Sequence, residues 1–231
     1  MYRQLDATHI ILYNLYTVKI MENEQKPYHH GDLKNALIRA GTEILAREGV
    51  GGLSLRKVAK HAGVSHAAPY AHFTDKQALI AAISTEGFRE LYARVGTTFE
   101  TYADIPAGLL VETAWAYIQF ALDDPDRFKI MFSSVLEKEK EYPEFVEMSQ
   151  KNFQQVVAVV ERCQAAGVLR DGPVDLLAVS VWGAVHGMLT LLLEGQISHA
   201  VLDRFSVREM LIFTLNQISQ TDLEIAPGPP A

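Results

Sequence analysis

Leu53-Ser54-Leu55-Arg56-Lys57-Val58-Ala59-Lys60-His61-Ala62-Gly63-Val64-Ser65-His66-Ala67-Ala68-Pro69-Tyr70-Ala71-His72-Phe73 reads as a helix-turn-helix. Ser54 is placed to cap a first helix, its oxygen taking an orphan amide of the opening turn. Leu55, Val58, Ala59 and Ala62 recur at helical spacing and mark its buried face. Gly63 follows, where a chain leaving a helix enters the left-handed region that glycine adopts freely. Val64 plugs the corner, and Ser65 is expected to cap a second short helix. The small Ala59 lets the two helices approach closely. A motif of this kind docks its second helix in the major groove of DNA.

Outside this stretch no strand-like alternation bounded by turn signals occurs, so an all-α chain is expected. A first helix runs from about Asp32 to Glu48, with Leu33, Leu37, Ala40 and Ile44 on one face. After the motif, Asp75 opens a longer helix carrying Leu79, Ile83, Phe88, Leu91 and Val95. Pro106 starts another, and Asp124-Pro125 is a cap-plus-proline start signal. Glu137 to Glu141 alternates charge and reads as a solvated helix end or loop. Pro143 opens a long amphipathic helix closed by Gly167, and the helix after Asp171-Gly172-Pro173 runs to Gly195. A last helix spans about Ser206 to Ser219. These signals divide the chain into an extension (1–25), a head (26–80), a helical body (81–222) and a disordered tail (223–231).

The net charge of −7 would by itself argue against nucleic acid, but its distribution does not. Residues 26–80 carry +4 and five of the eight histidines, which leaves −11 for the rest. A basic module tied to an acidic one focuses phosphate attraction at one end. The single cysteine, Cys163, excludes an intramolecular disulfide and fits a reducing cytoplasm. The histidines form no paired motif with a carboxylate or thiol, so neither a metal site nor a cofactor is expected. Ile10 to Tyr16 is apolar but too short and polar to span a bilayer, and no membrane association is expected. Met21 precedes a polar lead-in and is the expected natural start.

Around the motif the sequence resembles the TetR family of ligand-responsive bacterial transcription regulators. The resemblance rests on Gly31-Asp32-Leu33, Ala40, Ile44 and Gly49-Val50, then on Ser54 to Ala59, Gly63-Val64-Ser65, and Tyr70 to Leu79. A looser resemblance covers Asp124 to Phe128, Met131-Phe132, and Trp182-Gly183-Ala184-Val185-His186-Gly187. The last of these looks like the Trp-His-Gly signature of one C-terminal subfamily. Where the family often has a basic residue between the Tyr and the His-Phe, this chain has Ala71, which removes one phosphate contact. The resemblance implies a homodimer paired through a four-helix bundle, a palindromic operator, and release of that operator by a small molecule.

Ser65, His66, Ala67 and Ala68 are nominated to face base edges, with Tyr70 and His72 following. His66 can hydrogen-bond a base or a phosphate, whereas the alanines can touch only thymine methyls. A surface so poor in hydrogen-bonding groups implies that DNA shape supplements direct contacts. Ser54, Arg56 and Lys76 are nominated as phosphate clamps, the last by its match to the family's phosphate-binding lysine. Phe73 is assigned to the core. Val174 to Leu193 is apolar on nearly every face and is expected to be buried on all sides, with Gly183 and Gly187 admitting a crossing helix.

Trp115, Tyr117, Phe120, Phe128, Met131, Phe132, Trp182 and His186 form an aromatic-rich set. From it Trp115, Phe120, Phe128, Phe132, Trp182 and His186 are the ligand candidates, against the alternative that aromatics at helical spacing are plain core. The expected protein is a cytoplasmic, ligand-responsive, DNA-binding transcriptional regulator acting as a repressor. The alternative is an effector-independent DNA-binding or architectural protein. No serine–histidine–acid set, metal spacing or phosphate loop supports an enzyme.

Overall fold

A computed structural model describes residues 33–133, 136 and 139–224. The expected extension (1–25), the start at Met21 and the pair His29-His30 lie outside these residues. Eleven helical segments, nine α-helices and two 3-10 turns, build the described residues. They include α1 (Leu33–Gly52), α2 (Leu55–His61), a 3-10 turn (Ala68–Ala71), α3 (Lys76–Thr101), α4 (Pro106–Asp123), α5 (Pro125–Met131), α6 (Pro143–Ala165), α7 (Val174–Leu193), α8 (His199–Leu202) and α9 (Val207–Asn216). A further 3-10 turn, Glu139–Glu141, occupies the charge-alternating stretch. Among the described residues there is no strand, only an isolated antiparallel bridge between Leu169 and Ser219.

The start signals act through real caps. Ser54 Oγ accepts from Lys57 N at 3.2 Å, Asp75 Oδ1 from Ala78 N at 2.8 Å, and Asp124 Oδ1 from Arg127 N at 3.1 Å. Ser206 and Glu209 form a reciprocal capping box at α9. At the corner of the motif Gly63 has φ 68°, and Val64 N reaches back to Ala59 O at 3.0 Å. That is the Schellman closure, which satisfies a carbonyl the helix leaves open.

The second motif helix is not the α-helix expected from Ser65. It is the 3-10 turn Ala68–Ala71, preceded by turn geometry and capped at Ala67 without a side-chain bond. Pro69 explains the difference. It has no amide to offer Ser65 O, so Ala68 N takes that carbonyl at 3.0 Å in a tighter i→i+3 bond.

The core runs along α3, which packs against α4, α5 and α6, while α6, α9 and α4 cover one side of α7. The head joins this body through the same helix. Gly41 of α1 lies so close to α3 that an added Cβ would meet Ile83 Cδ1 at 2.8 Å. The expected boundary near residue 80 therefore falls inside one continuous helix. Of the tail expected to be disordered, Leu223 is instead docked. Its amide donates to Asn216 Oδ1 at 2.8 Å and its side chain is buried, because an apolar residue beside the α9 end has core to cover. Residues 225–231 lie outside the described chain.

Candidate functional site

In the head, Ser54, Arg56, Ser65, His66, Ala67, Tyr70 and His72 are all exposed. Tyr70 keeps 56 % of its surface open, so its ring does not pack into the corner. Ala68 is half-buried, and Phe73 is in the core as expected. The neighbours of Arg56 are tied back to α1: Lys57 pairs with Glu48, and His61 Nε2 lies 2.6 Å from Glu43 Oε2. Arg56 has no ion pair among the described residues, which leaves its charge available. Lys76 is half-buried, and its ammonium donates to Val50 O at the end of α1. It thus pins α1 to α3 with one of its three protons.

The body holds a cavity of about 410 Å³ between α3, α4, α6 and α7. Phe88, Leu91 and Val95 of α3 form one wall, and Val181, Trp182 and Val185 of α7 another. Asn152 on α6 spends its amide protons on Phe88 O at 2.9 Å and Met148 O at 2.8 Å, which fixes α6 against α3. Of the six ligand candidates, Phe132 and Trp182 line the cavity. Trp115 does not; its ring lies under the Arg208 guanidinium at 5.2 Å, on the α9 side of α4. Phe120 is buried elsewhere, with the guanidinium groups of Arg127 and Arg94 at 5.3 and 5.7 Å from its ring centre. Phe128 is buried behind the wall, 4.8 Å from the Phe132 ring and 5.4 Å from that of Tyr117. His186 also stands behind the wall. Wall residues that the aromatic set omitted include Phe88 and Phe153; helical spacing does mark them as apolar, but not which way they face.

One polar relay crosses this apolar region. Trp182 Nε1–H donates to Tyr117 Oη at 3.3 Å, and Tyr117 Oη lies 2.7 Å from His186 Nδ1. The indole can only donate, so the tyrosine oxygen accepts from it; with the His186 proton on Nε2, the hydroxyl donates to Nδ1. Burial pushes the Tyr117 hydroxyl well above its ordinary range, against a smaller opposing effect of the Trp182 bond. Burial holds His186 below the usual imidazole range. Both groups are neutral at pH 7.

The pH dependence follows from the direction of the His186 shift. The unfolded chain takes up this proton first, near pH 6.5, so stability from the neutral imidazole is complete above about pH 6.5 and falls below it. A His186→Phe chain is expected to lose less stability than the parent between about pH 6.5 and 5. Urea unfolding at both pH values checks this; identical acid losses would mean that His186 titrates normally.

Cys163 is fully buried, its Sγ 3.3 Å from Pro106 O, and burial pushes its thiol up to about 12. Helix α7, expected to be buried on all sides, is covered on one side only. Leu176, Val179 and Leu191 are exposed, as is Phe213 on α9 at 69 %. Gly183 and Gly187 have nothing within 4 Å of an added Cβ. By length and composition α7 could cross a membrane, but its other face carries Leu177, Val181, Val185 and Leu189 into the core.

A family model described as "Bacterial regulatory proteins, tetR family" matches residues 37–83, and one described as "Tetracyclin repressor-like, C-terminal domain" matches residues 110–215. An uncharacterised helix-turn-helix-type transcriptional regulator of Bacillus subtilis, YobS, is 26 % identical over 111 residues, 48 % of this chain and 57 % of that protein. The chain thus matches little more than half the length of that relative. A protein of unknown function from Rhodococcus sp. RHA1 superimposes with a TM-score of 0.69 at 32 % identity, over 85 % of this chain and 100 % of the other. The regulator FadR of Bacillus subtilis, solved in complex with stearoyl-CoA, gives 0.65 at 16 % identity over 80 % and 97 %, which speaks for the fold alone. Motif, all-helical body and both matches agree: the chain belongs to the TetR family of DNA-binding, ligand-responsive transcription regulators.

Proposed function

We propose that this chain is a cytoplasmic homodimeric repressor, whose two heads hold the half-sites of a palindromic operator until a small molecule enters the body cavity. The observation that carries the reading is the path of α3. Phe88, Leu91 and Val95 line the cavity, and Leu79 and Ile83, about one to four turns earlier on the same helix, pack against Gly41 of the head. A ligand that wedges α3 from α6 would move the head with it. It would weaken DNA binding by the difference between its affinities for the two arrangements, and by no more. The exposed apolar faces of α7 and α9 suit a four-helix pairing with a second copy, and a two-fold dimer matches a palindrome.

Selection of bound DNA from a random pool by the purified protein tests the first half of the reading. Enrichment of an inverted repeat with half-sites about one helical turn apart supports it; no enrichment refutes it. Titration of that DNA complex with cavity ligands tests the second half, and unchanged affinity would make the protein an effector-independent binder.

The head residues divide into two roles. Arg56→Ala is expected to weaken binding on every sequence and to lower the log–log salt slope by about one unit, one phosphate contact being lost. His66→Ala is expected to relax base preference at one symmetric pair of positions, by about 1–3 kcal/mol. Anisotropy titrations at several salt concentrations and a repeated selection separate the two. A base-specific loss for Arg56, or an unchanged preference for His66, would reverse the assignments. Ser54, Ser65, Ala67, Ala68, Tyr70, His72 and Lys76 complete the proposed surface.

A further inference from the structure

We infer that the cavity takes an uncharged, mostly apolar molecule carrying one oxygen function, and excludes carboxylates and acyl-CoA. The inference rests on the reading of the cavity as the effector site and names the chemistry of that effector. Among the described residues, none of the nineteen that line the cavity is Asp, Glu, Lys, Arg or His. The cations of the surrounding helices are engaged elsewhere. Arg127 pairs with Glu90 at 2.7 Å, Arg94 with Asp123 at 2.8 Å, and Lys151 with Glu147 at 2.6 Å. Arg208 is bound to Glu112, and Arg89 to Glu86 and Glu144. Arg162 of α6 has no carboxylate partner, but it is held on Ala103 O at 3.1 Å and over the Phe99 ring, and neither residue lines the cavity. An anion entering this space would shed its water and meet no cationic side chain among the described lining residues, so it would bind only as its neutral acid.

The wall is not wholly inert. Tyr117 and Trp182 are both wall residues, and the 3.3 Å bond from indole to hydroxyl is longer than the usual N–H···O of about 2.9–3.0 Å. With the hydroxyl donating to Nδ1, the tyrosine oxygen also keeps a lone pair that Trp182 does not occupy. A ligand hydroxyl can donate to that lone pair, or a ligand carbonyl can draw the indole proton to itself. Towards the α6 side the remaining polar groups are neutral: Gln150 and Gln154 are exposed, and the Ser149 hydroxyl is turned back on Val146 O at 2.9 Å. Gln155 gives its amide to Tyr92 O at 3.0 Å, and its buried Oε1, without a partner among the described residues, is a second acceptor for a ligand hydroxyl. One oxygen on an apolar frame is therefore the pattern that the wall complements.

Calorimetry with 4-phenylphenol, biphenyl-4-carboxylate, 4-methylbiphenyl and stearoyl-CoA at pH 7.5 tests the inference on the full chain. The phenol is expected to bind tighter than the carboxylate by a factor on the order of one hundred or more, and stearoyl-CoA not to compete with it. Tyr117→Phe should weaken the phenol by about tenfold while leaving 4-methylbiphenyl unchanged. Ala114→Phe, which fills the space, should abolish both, with circular dichroism confirming that each variant is folded. Carboxylate or CoA binding as tight as the phenol overturns the inference; so do failure of both neutral probes and phenol binding that survives Ala114→Phe. Operator binding separates the two levels. A carboxylate that occupies the cavity and releases DNA refutes the chemistry and keeps the regulator. A neutral probe that binds there without changing DNA affinity keeps the chemistry and removes the effector role.

Discussion

A Gly187→Leu chain is expected to sediment as a monomer at micromolar concentration, where the proposed parent dimer should stay intact. Within one chain the position is open, since nothing beyond the helix's own turns lies within 4 Å of an added Cβ at Gly187 or Gly183. The fold of the isolated chain should therefore be untouched. Against a second α7 crossing at these glycines, a leucine must push the helices apart or take a strained rotamer, at about 1–3 kcal/mol per site. The two-fold axis applies that cost twice, and at the middle of the range the dimer weakens about a thousandfold. Specific DNA affinity should fall with it, while non-specific affinity of each head persists. An undiminished dimer would place the interface away from α7, and the exposure of Leu176 and Phe213 would need another explanation.

Phe120→Ala is the second large effect, and it falls on stability. The ring is 1 % exposed and has the guanidinium groups of Arg94 and Arg127 beside it. Its removal leaves a cavity in the core and strips two cations of the ring beside them. A loss of about 3–5 kcal/mol is expected from the packing alone. Urea unfolding at fixed protein concentration measures it, concentration being held because a dimer's stability depends on it. Ligand affinity of the folded remainder should not change, since Phe120 does not line the cavity. A loss below about 1 kcal/mol with impaired ligand binding would return Phe120 to the site.

The contrast between Phe120 and Tyr117 shows where sequence reading stops. Caps are local, so Ser54, Asp75, Asp124 and Ser206 were legible as helix starts from their own neighbours. The turn at Gly63 was legible for the same reason. Helix α4, however, is apolar around most of its circumference, and periodicity cannot say which face meets a cavity and which meets α9. Leu110, Thr113, Ala114 and Tyr117 turn out to share the cavity face, and Trp115 the other. The short turn at Pro69 was legible in principle, because a proline four residues after Ser65 forbids the helical bond that the expected cap would have begun. The bond from Lys76 to Val50 was not, since it joins residues 26 apart through the packing of α1 on α3.

The burial of Cys163 opens the proposed movement of the heads to direct measurement. As the only sulfhydryl in the chain, closed to solvent and with almost no thiolate at neutral pH, it will not react with maleimides or nitroxide reagents. A cysteine introduced at an exposed head position such as Ala67 would carry the only label on each subunit, without removal of the native residue. The distance between two such labels across a dimer could then be followed as a cavity ligand is added.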